Sequence, residues 1–315
     1  GLDEMYRFGD GSVLESHAIV SSTKNDQLAA NQTGHAIGVN FWKMTRDLDY
    51  GITVKDLAKD FYADMGYVNR TGISGFTGIV RPKVYPGSEY FQKISFELFS
   101  GQTRDKFSNM WETFNHVSIQ QFFLGSLTAK AKYSYSTEVY RGEKFKTGGF
   151  HFLIGGQFAK QLSLSLLYRK INAIYYERNP LKSPFQGKSN RVTASAVYQP
   201  FDQLSAEADF VYSDLYTTTG DKVYDYPLYR GKLTYQLNKY LFFRGIAEYN
   251  QYRKTLLTDF LASFTYIPGT VFYLGYGSLY EKVSWDNENR RYADSDQFLE
   301  SRRGFFLKMS YLWRM

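Results

Sequence analysis

The sequence predicts an all-β fold, a transmembrane antiparallel β-barrel of about sixteen strands, with fourteen as the alternative count. Three observations carry this expectation. Runs of about ten residues alternate between apolar and polar side chains, which is the period of a strand with two unlike faces and the length of a tilted membrane crossing. Tyr and Phe number 28 and 26 in 315 residues, and Tyr in particular favours boundaries where one end of the ring is dry and the other wet. The breaks between runs sort by strand parity into short turns and long connections, the rim asymmetry of an outer-membrane barrel.

In chain order, the first runs are Val13–Ser22, Ala36–Met44, Tyr50–Leu57, Ile73–Arg81, Phe91–Ser100 and His116–Leu124. The seventh is cleaner: Leu127, Ala129, Ala131, Tyr133, Tyr135 and Val139 oppose Thr128, Lys130, Lys132, Ser134, Ser136 and Glu138. Phe150–Gln157 is the eighth and the most poorly patterned. Next, Leu162, Leu164, Leu166 and Tyr168 oppose Ser163, Ser165 and Arg169, and Val192, Ala194, Ala196 and Tyr198 oppose Arg191, Thr193 and Ser195. Leu204 to Tyr212, Tyr229 to Leu237 and Leu241 to Tyr249 repeat the alternation with Glu207, Asp209, Arg230, Lys232, Arg244 and Glu248 on the polar face. Thr258–Tyr266 and Val271–Glu281 follow. Phe305–Arg314 closes the series, with Phe305, Leu307, Met309, Tyr311, Trp313 and Met315 on one face and Gly304, Lys308, Ser310 and Arg314 on the other, Phe306 and Leu312 being the exceptions.

Mostly short breaks follow the even-numbered runs, as at Thr45-Arg46-Asp47, Gly125-Ser126 and Asn238-Lys239, with Pro82–Tyr90 as the longer exception. Long ones follow odd-numbered runs: 25–31, 59–70, 101–114, 177–189, 217–225 and 283–302, with Arg253–Thr255 as the exception. The seven prolines lie in or beside connections, where strand geometry tolerates them. Parity puts both chain ends on the short-turn, periplasmic side. No linker or internal repeat interrupts the series, so residues 1–315 read as a single barrel domain. Gly1-Leu2 opens the chain without a signal pattern, as in a mature chain or a fragment.

Composition excludes several classes. Mean hydropathy is negative and no stretch approaches the roughly 20 apolar residues of a spanning helix. A helical membrane protein is excluded, whereas a barrel with a polar lumen is not. The net charge of +7 comes from dispersed Lys and Arg without a basic helix, zinc motif or RNA-binding signature, so no nucleic-acid partner is expected. Cysteine is absent, in keeping with an oxidising compartment.

Three stretches carry a family resemblance: Gly66–Thr71, Pro268–Tyr276 and Phe306–Arg314. They resemble the C-terminal barrel domain of a bacterial outer-membrane family of unknown function, whose longer members carry a carbohydrate-binding-like sandwich ahead of the barrel. The resemblance implies fold and location, and no activity. The sandwich is missing here, and Met315 stands where outer-membrane barrels generally end in Phe.

The candidate functional residues are lumen charges. The basic set is Lys130, Lys132, Arg169, Arg191, Arg230, Lys232, Arg244 and Lys308, joined by Lys93; the acidic set is Glu207, Asp209 and Glu248, joined by Glu97, Glu138 and Asp259. They read either as a basic-biased constriction for anionic solutes or as cross-strand ion pairs within the wall. His116 and Ser118 share a strand face, and a His-x-Ser pair of this spacing resembles the dyad of the outer-membrane phospholipase. Ile119-Gln120 replaces the Asn-Gly that follows the serine there, and no oxyanion donor is apparent. Asp286, Glu288, Asp294 and Asp296 have oxygen-ligand spacing without the glycine of a calcium loop. Tyr135, Tyr175, Tyr212 and Tyr249 at one end, and Tyr198, Tyr266 and Trp313 at the other, fit two aromatic girdles.

The expectation is therefore a porin-like channel, not an enzyme, without cofactor or metal. The alternatives are an anchoring barrel with an occluded lumen, as a subunit of a larger complex, and more remotely a lipid hydrolase. The expected partners are outer-membrane lipid, the barrel-assembly machinery through the last strand, and other envelope proteins.

Overall fold

The computed structural model describes every residue except 26–29, 64–67, 177, 178, 180 and 313–315. Among the described residues there are seventeen strands in one sheet. They are β1 (Leu2–Arg7), β2 (Val13–Asn25), β3 (Ala30–Met44), β4 (Leu48–Leu57), β5 (Ile73–Val84) and β6 (Phe91–Asp105). Then come β7 (Met110–Phe123), β8 (Thr128–Tyr140), β9 (Glu143–Ala159), β10 (Leu162–Tyr175), β11 (Phe185–Phe201) and β12 (Leu204–Thr217). The last are β13 (Lys222–Gln236), β14 (Leu241–Asn250), β15 (Thr255–Ile267), β16 (Thr270–Asp286) and β17 (Arg291–Ser310). β2 to β17 are the sixteen runs of the alternation. β1 is additional, pairing with β2 from Leu2↔Ala18 to Arg7↔Val13; its Asp3-Glu4 step breaks any period of two.

The contacts gather into two compact units. Unit 1 comprises Gly1–Leu124, Thr128–Phe152 and Lys170–Lys188; unit 2 comprises Gly125–Leu127, Leu153–Arg169 and Ser189–Met315. In unit 1, Asp49↔Arg81, Lys83↔Ser95, Glu97↔Ser118 and Gln120↔Lys130 carry one face across consecutive antiparallel pairs. Val54↔Phe76, Leu98↔Val117 and Val117↔Tyr133 carry the other. In unit 2 the charged face runs Glu207↔Lys232, Asp209↔Arg230 and Arg230↔Glu248, while Ala206↔Leu233, Gly245↔Phe260 and Leu274↔Leu307 make the apolar one.

The apolar face is exposed: Tyr133, Leu98, Leu274, Leu307 and Phe305 all stand open on the protein surface. Such a surface belongs in hydrocarbon. No helix among the described residues is long and apolar enough to cross a membrane. A sheet that meets lipid cannot leave an open edge of unpaired backbone groups and has to close on itself. The fold is a transmembrane antiparallel β-barrel with its charged face inward.

The long side of the parity pattern is built largely as two-stranded ribbons. Strand pairing continues to Asp105↔Met110 and Asp286↔Arg291, beyond the runs read from sequence. Asn109 and Arg290 sit in these tips with φ of 62° and 49°. Residues 218–221 close β12–β13, and Arg141-Gly142 close β8–β9. On the opposite side, turns such as 45–47, 160–161 and 268–269 are short. Pro227 lies inside β13, opposite Tyr212, rather than in a connection; it stands one residue before the pairing with β14 begins at Leu228↔Asn250.

Candidate functional site: the charged inner face

In unit 1 the inner face organises around Glu97. Arg81 donates from Nε and Nη2 to its Oε2 at 2.9 and 2.5 Å, and Nε2 of His116 lies 2.8 Å from Oε1. Lys130 Nζ approaches Oε1 to 3.7 Å. Arg81 also reaches Asp49 at 3.5 Å, and Lys83 donates to Asp49 at 2.5 Å and to the Thr45 carbonyl at 2.9 Å. The register puts these residues in one row: Asp49 faces Arg81, and Glu97 lies on the strand between β5 and β7. The two carboxylates are buried, with 8% and 13% of their side chains exposed. Charges that deep are stable only when paired.

Further toward the ribbon side of unit 1, Arg70 holds Glu112 at 2.6 Å and Asp105 at 3.0 Å. Asp105 also accepts from Ser108, and Glu112 accepts from the Val139 amide at 2.7 Å. A cavity of about 430 Å³ opens there, lined by Arg70, Glu112, Thr113 and Thr137 together with Phe99 and Phe114 among others. Asp56 collects His35 at 2.6 Å, Lys106 and Ser74.

In unit 2 the pairs are looser. Lys232 meets Glu207 at 2.6 Å, but Arg230 and Glu248 are 3.9 Å apart and Arg244 and Asp259 are 3.7 Å apart. Asp209 accepts from Ser195 at 2.7 Å and stands opposite Arg230. Outside the strands, Asp10 in the β1–β2 turn accepts from Lys43 at 2.6 Å and from Ser12. Lys43, and then the two Ser12 donors, hold its carboxyl well below the ordinary range.

The candidates read from sequence thus divide. Glu207, Asp209, Arg230, Lys232, Arg244 and Glu248 form one cross-strand set on the inner face of unit 2. Lys130 joins the Glu97 group in unit 1, while Lys132 faces Ser118 with its ammonium 6.0 Å from the Phe114 ring. Lys308 faces Tyr273. Arg169 and Arg191 have no carboxylate partner among the described residues. His116 and Ser118 share the inner face, but the His116 ring stacks on Phe99 and its bond goes to Glu97; none joins Ser118 to His116.

Asp286 accepts from the Glu288 and Asn289 amides, and Asp294 pairs with Lys254 at 2.7 Å. Among the girdle residues, Tyr198 and Tyr266 are exposed, Tyr175 stacks on Phe185 and Tyr212 donates to Asp214; Trp313 and Met315 lie outside the described residues. Sequence reading missed Asp49, Arg70, Arg81, Lys83, Asp105 and Glu112. Arg81 and Lys83 flank Pro82 with strand spacing, which would have carried β5 two residues further.

No family model matches the chain, and no curated protein matches it. Solved structures similar to it include the following two. The FrpB iron transporter from Neisseria meningitidis (F3-3 variant) is 12% identical with a TM-score of 0.45, over 96% of this chain and 59% of that one. OmpT (in-vitro folded), an outer membrane protein of Vibrio cholerae, is 11% identical with a TM-score of 0.32, over 98% of this chain and all of the other. The chain spans about three fifths of the FrpB chain.

The inner faces of the two units differ in what they can do chemically. Unit 1 presents a neutralised, tightly bonded row whose donors and acceptors are mostly taken. Unit 2 presents charges with room around them, able to exchange protein partners for water or solute.

Proposed function

We propose that this barrel is a porin-like channel of a bacterial outer membrane, passing small hydrophilic solutes. The observation that carries the reading is the exposure of the charged side chains on the unit 2 inner face. Arg230, Lys232, Arg244 and their carboxylates are each between 30% and 44% exposed. Charged groups on an inward face are stable at that exposure only against water. A wall that packed its own interior would bury them and pull the pairs together.

A second reading is favoured by a different observation. The Asp49, Glu97 and Glu112 carboxylates of unit 1 are only 8–13% exposed, as in a barrel that fills its lumen and anchors a larger envelope complex. Liposome swelling separates the two. Purified protein in liposomes admits small neutral sugars up to a size limit on the channel reading. Liposomes that stay sealed, together with an envelope protein that co-purifies stoichiometrically, favour the anchor.

The proposal assigns no catalysis to His116 and Ser118. Membership of the outer-membrane family of unknown function belongs to the same reading: Pro268-Gly269 form the β15–β16 turn and Thr270–Tyr276 open β16. The last strand is the segment that assembly machinery would engage.

A further inference from the structure

The inner face of unit 2 holds one arrangement that ion pairing does not account for. The Gln199 amide donates to the Gln161 carbonyl at 2.8 Å between β11 and β10. Stepping equally along both strands from that bond brings Arg169 opposite Arg191, and the same steps bring Tyr175 opposite Phe185, whose rings stack at 4.8 Å. Tyr168 reaches diagonally across the same pair to donate to Asn190 at 3.1 Å. Like charges directly opposite one another weaken an antiparallel pair.

The other unit 2 arginines nearby have carboxylate partners: Arg230 approaches Glu248 at 3.9 Å and Arg244 approaches Asp259 at 3.7 Å, although Arg244 Nε, like that of Arg169, has no acceptor. Arg169 and Arg191 meet no carboxylate among the described residues, and Arg169 Nε is shut off from solvent with no acceptor. Asp209 on the neighbouring β12 is engaged with Ser195.

We infer that Arg169 and Arg191 form a binding station for a small oxyanion, with phosphate as the simplest case, on the path through the barrel. This rests on the channel reading. Two planar guanidinium forks can each give paired N–H···O bonds to one oxyanion, and the bound charge cancels the repulsion between them. Arg191 is exposed, so the ion reaches the pair from water and leaves to it, as conduction requires.

The test uses the full chain in planar bilayers and, in parallel, phosphate titration of the same protein in micelles by calorimetry. The unmodified protein conducts, prefers anions by reversal potential, and loses chloride current as phosphate is added. Arg169→Gln with Arg191→Gln keeps the conductance, loses the anion preference, and binds phosphate about tenfold more weakly or not at all. The paired Lys variant, which keeps both charges without the forks, retains the preference and binds phosphate less tightly than the unmodified protein. Conductance with equal phosphate sensitivity in the unmodified protein and the Gln variant overturns the station and leaves the channel reading standing. Silent bilayers end the channel reading, and the calorimetric comparison then decides whether the pair holds an oxyanion at all. A heat-modifiable band on gels confirms that each variant has folded.

Discussion

His116 stands opposite Phe99 across the β6–β7 pair, its imidazole flat on that ring at 5.1 Å between centres, and reaches diagonally to Glu97 at 2.8 Å. The carboxylate thereby joins three strands, since Arg81 comes from β5 and His116 from β7. Glu97→Gln keeps the shape and removes the charge that Arg81 and Lys130 neutralise. It is expected to lower stability by about 1–3 kcal/mol. Urea unfolding from lipid vesicles reads the loss, and His116→Gln in the same background gives a coupling of about 0.5–3 kcal/mol if the two act together. An unchanged midpoint in Glu97→Gln would mean that the row is ornamental.

Asp10 is tied to Lys43 and Ser12, which ionise it more readily than an ordinary aspartate. A carboxyl with a lowered folded-state pKa contributes stability above its unfolded value and loses it as pH falls through the lowered one. The ion pair that pins the β1–β2 turn to β3 should accordingly survive at pH 3, below the ordinary midpoint of 3.8. Carboxyl NMR of the micellar protein follows this directly. Lys43→Ala is expected to move the Asp10 titration upward, and a midpoint near 3.8 in the unmodified protein refutes the assignment.

β9 depends on glycine. Gly149 and Gly156 have φ of 151° and 142°, and a Cβ at either would lie 2.2 Å from a backbone oxygen, of Lys170 and Ser126 respectively. Rigid backbone cannot retreat as a side-chain tip can. Gly149→Ala and Gly156→Ala should each cost about 1–3 kcal/mol in the same unfolding assay. Gly231→Ala, at an open position, serves as the mild control. Equal effects at all three positions would show that the local conformation carries no cost.

The same glycines explain why Phe150–Gln157 is the least legible stretch in the sequence: residues held at such φ values interrupt the alternation on which strand reading depends. Where the backbone is regular, the chemistry is readable. Leu204 to Tyr212 alternate cleanly, and Glu207 and Asp209 fall opposite Lys232 and Arg230 on the next strand of the same hairpin. The ribbons were hidden for another reason. Residues Gln102 to Asp105 are polar on both faces, because beyond the membrane neither face meets hydrocarbon, so the contrast that marks a strand vanishes. The Glu97 group was out of reach because its membership depends on the registers of four strands at once.

Leu307 and Lys308 are neighbours on β17 that the pleat sends to opposite sides. Leu307 faces Leu274 on the apolar surface, and Lys308 faces Tyr273 on the other. If the apolar surface lies in lipid, Leu307→Arg places a charge in hydrocarbon at about 2–4 kcal/mol near mid-depth. Lys308→Gln changes a residue on the watered side and should leave stability within about 0.5 kcal/mol. Folding both variants into vesicles of fixed chain length compares them directly, and thicker bilayers should enlarge the Leu307→Arg penalty as the site moves further from the interface. Comparable stability of the two variants in every bilayer would put the apolar face somewhere other than lipid, and the inward assignment of every charge on the opposite face would fail with it.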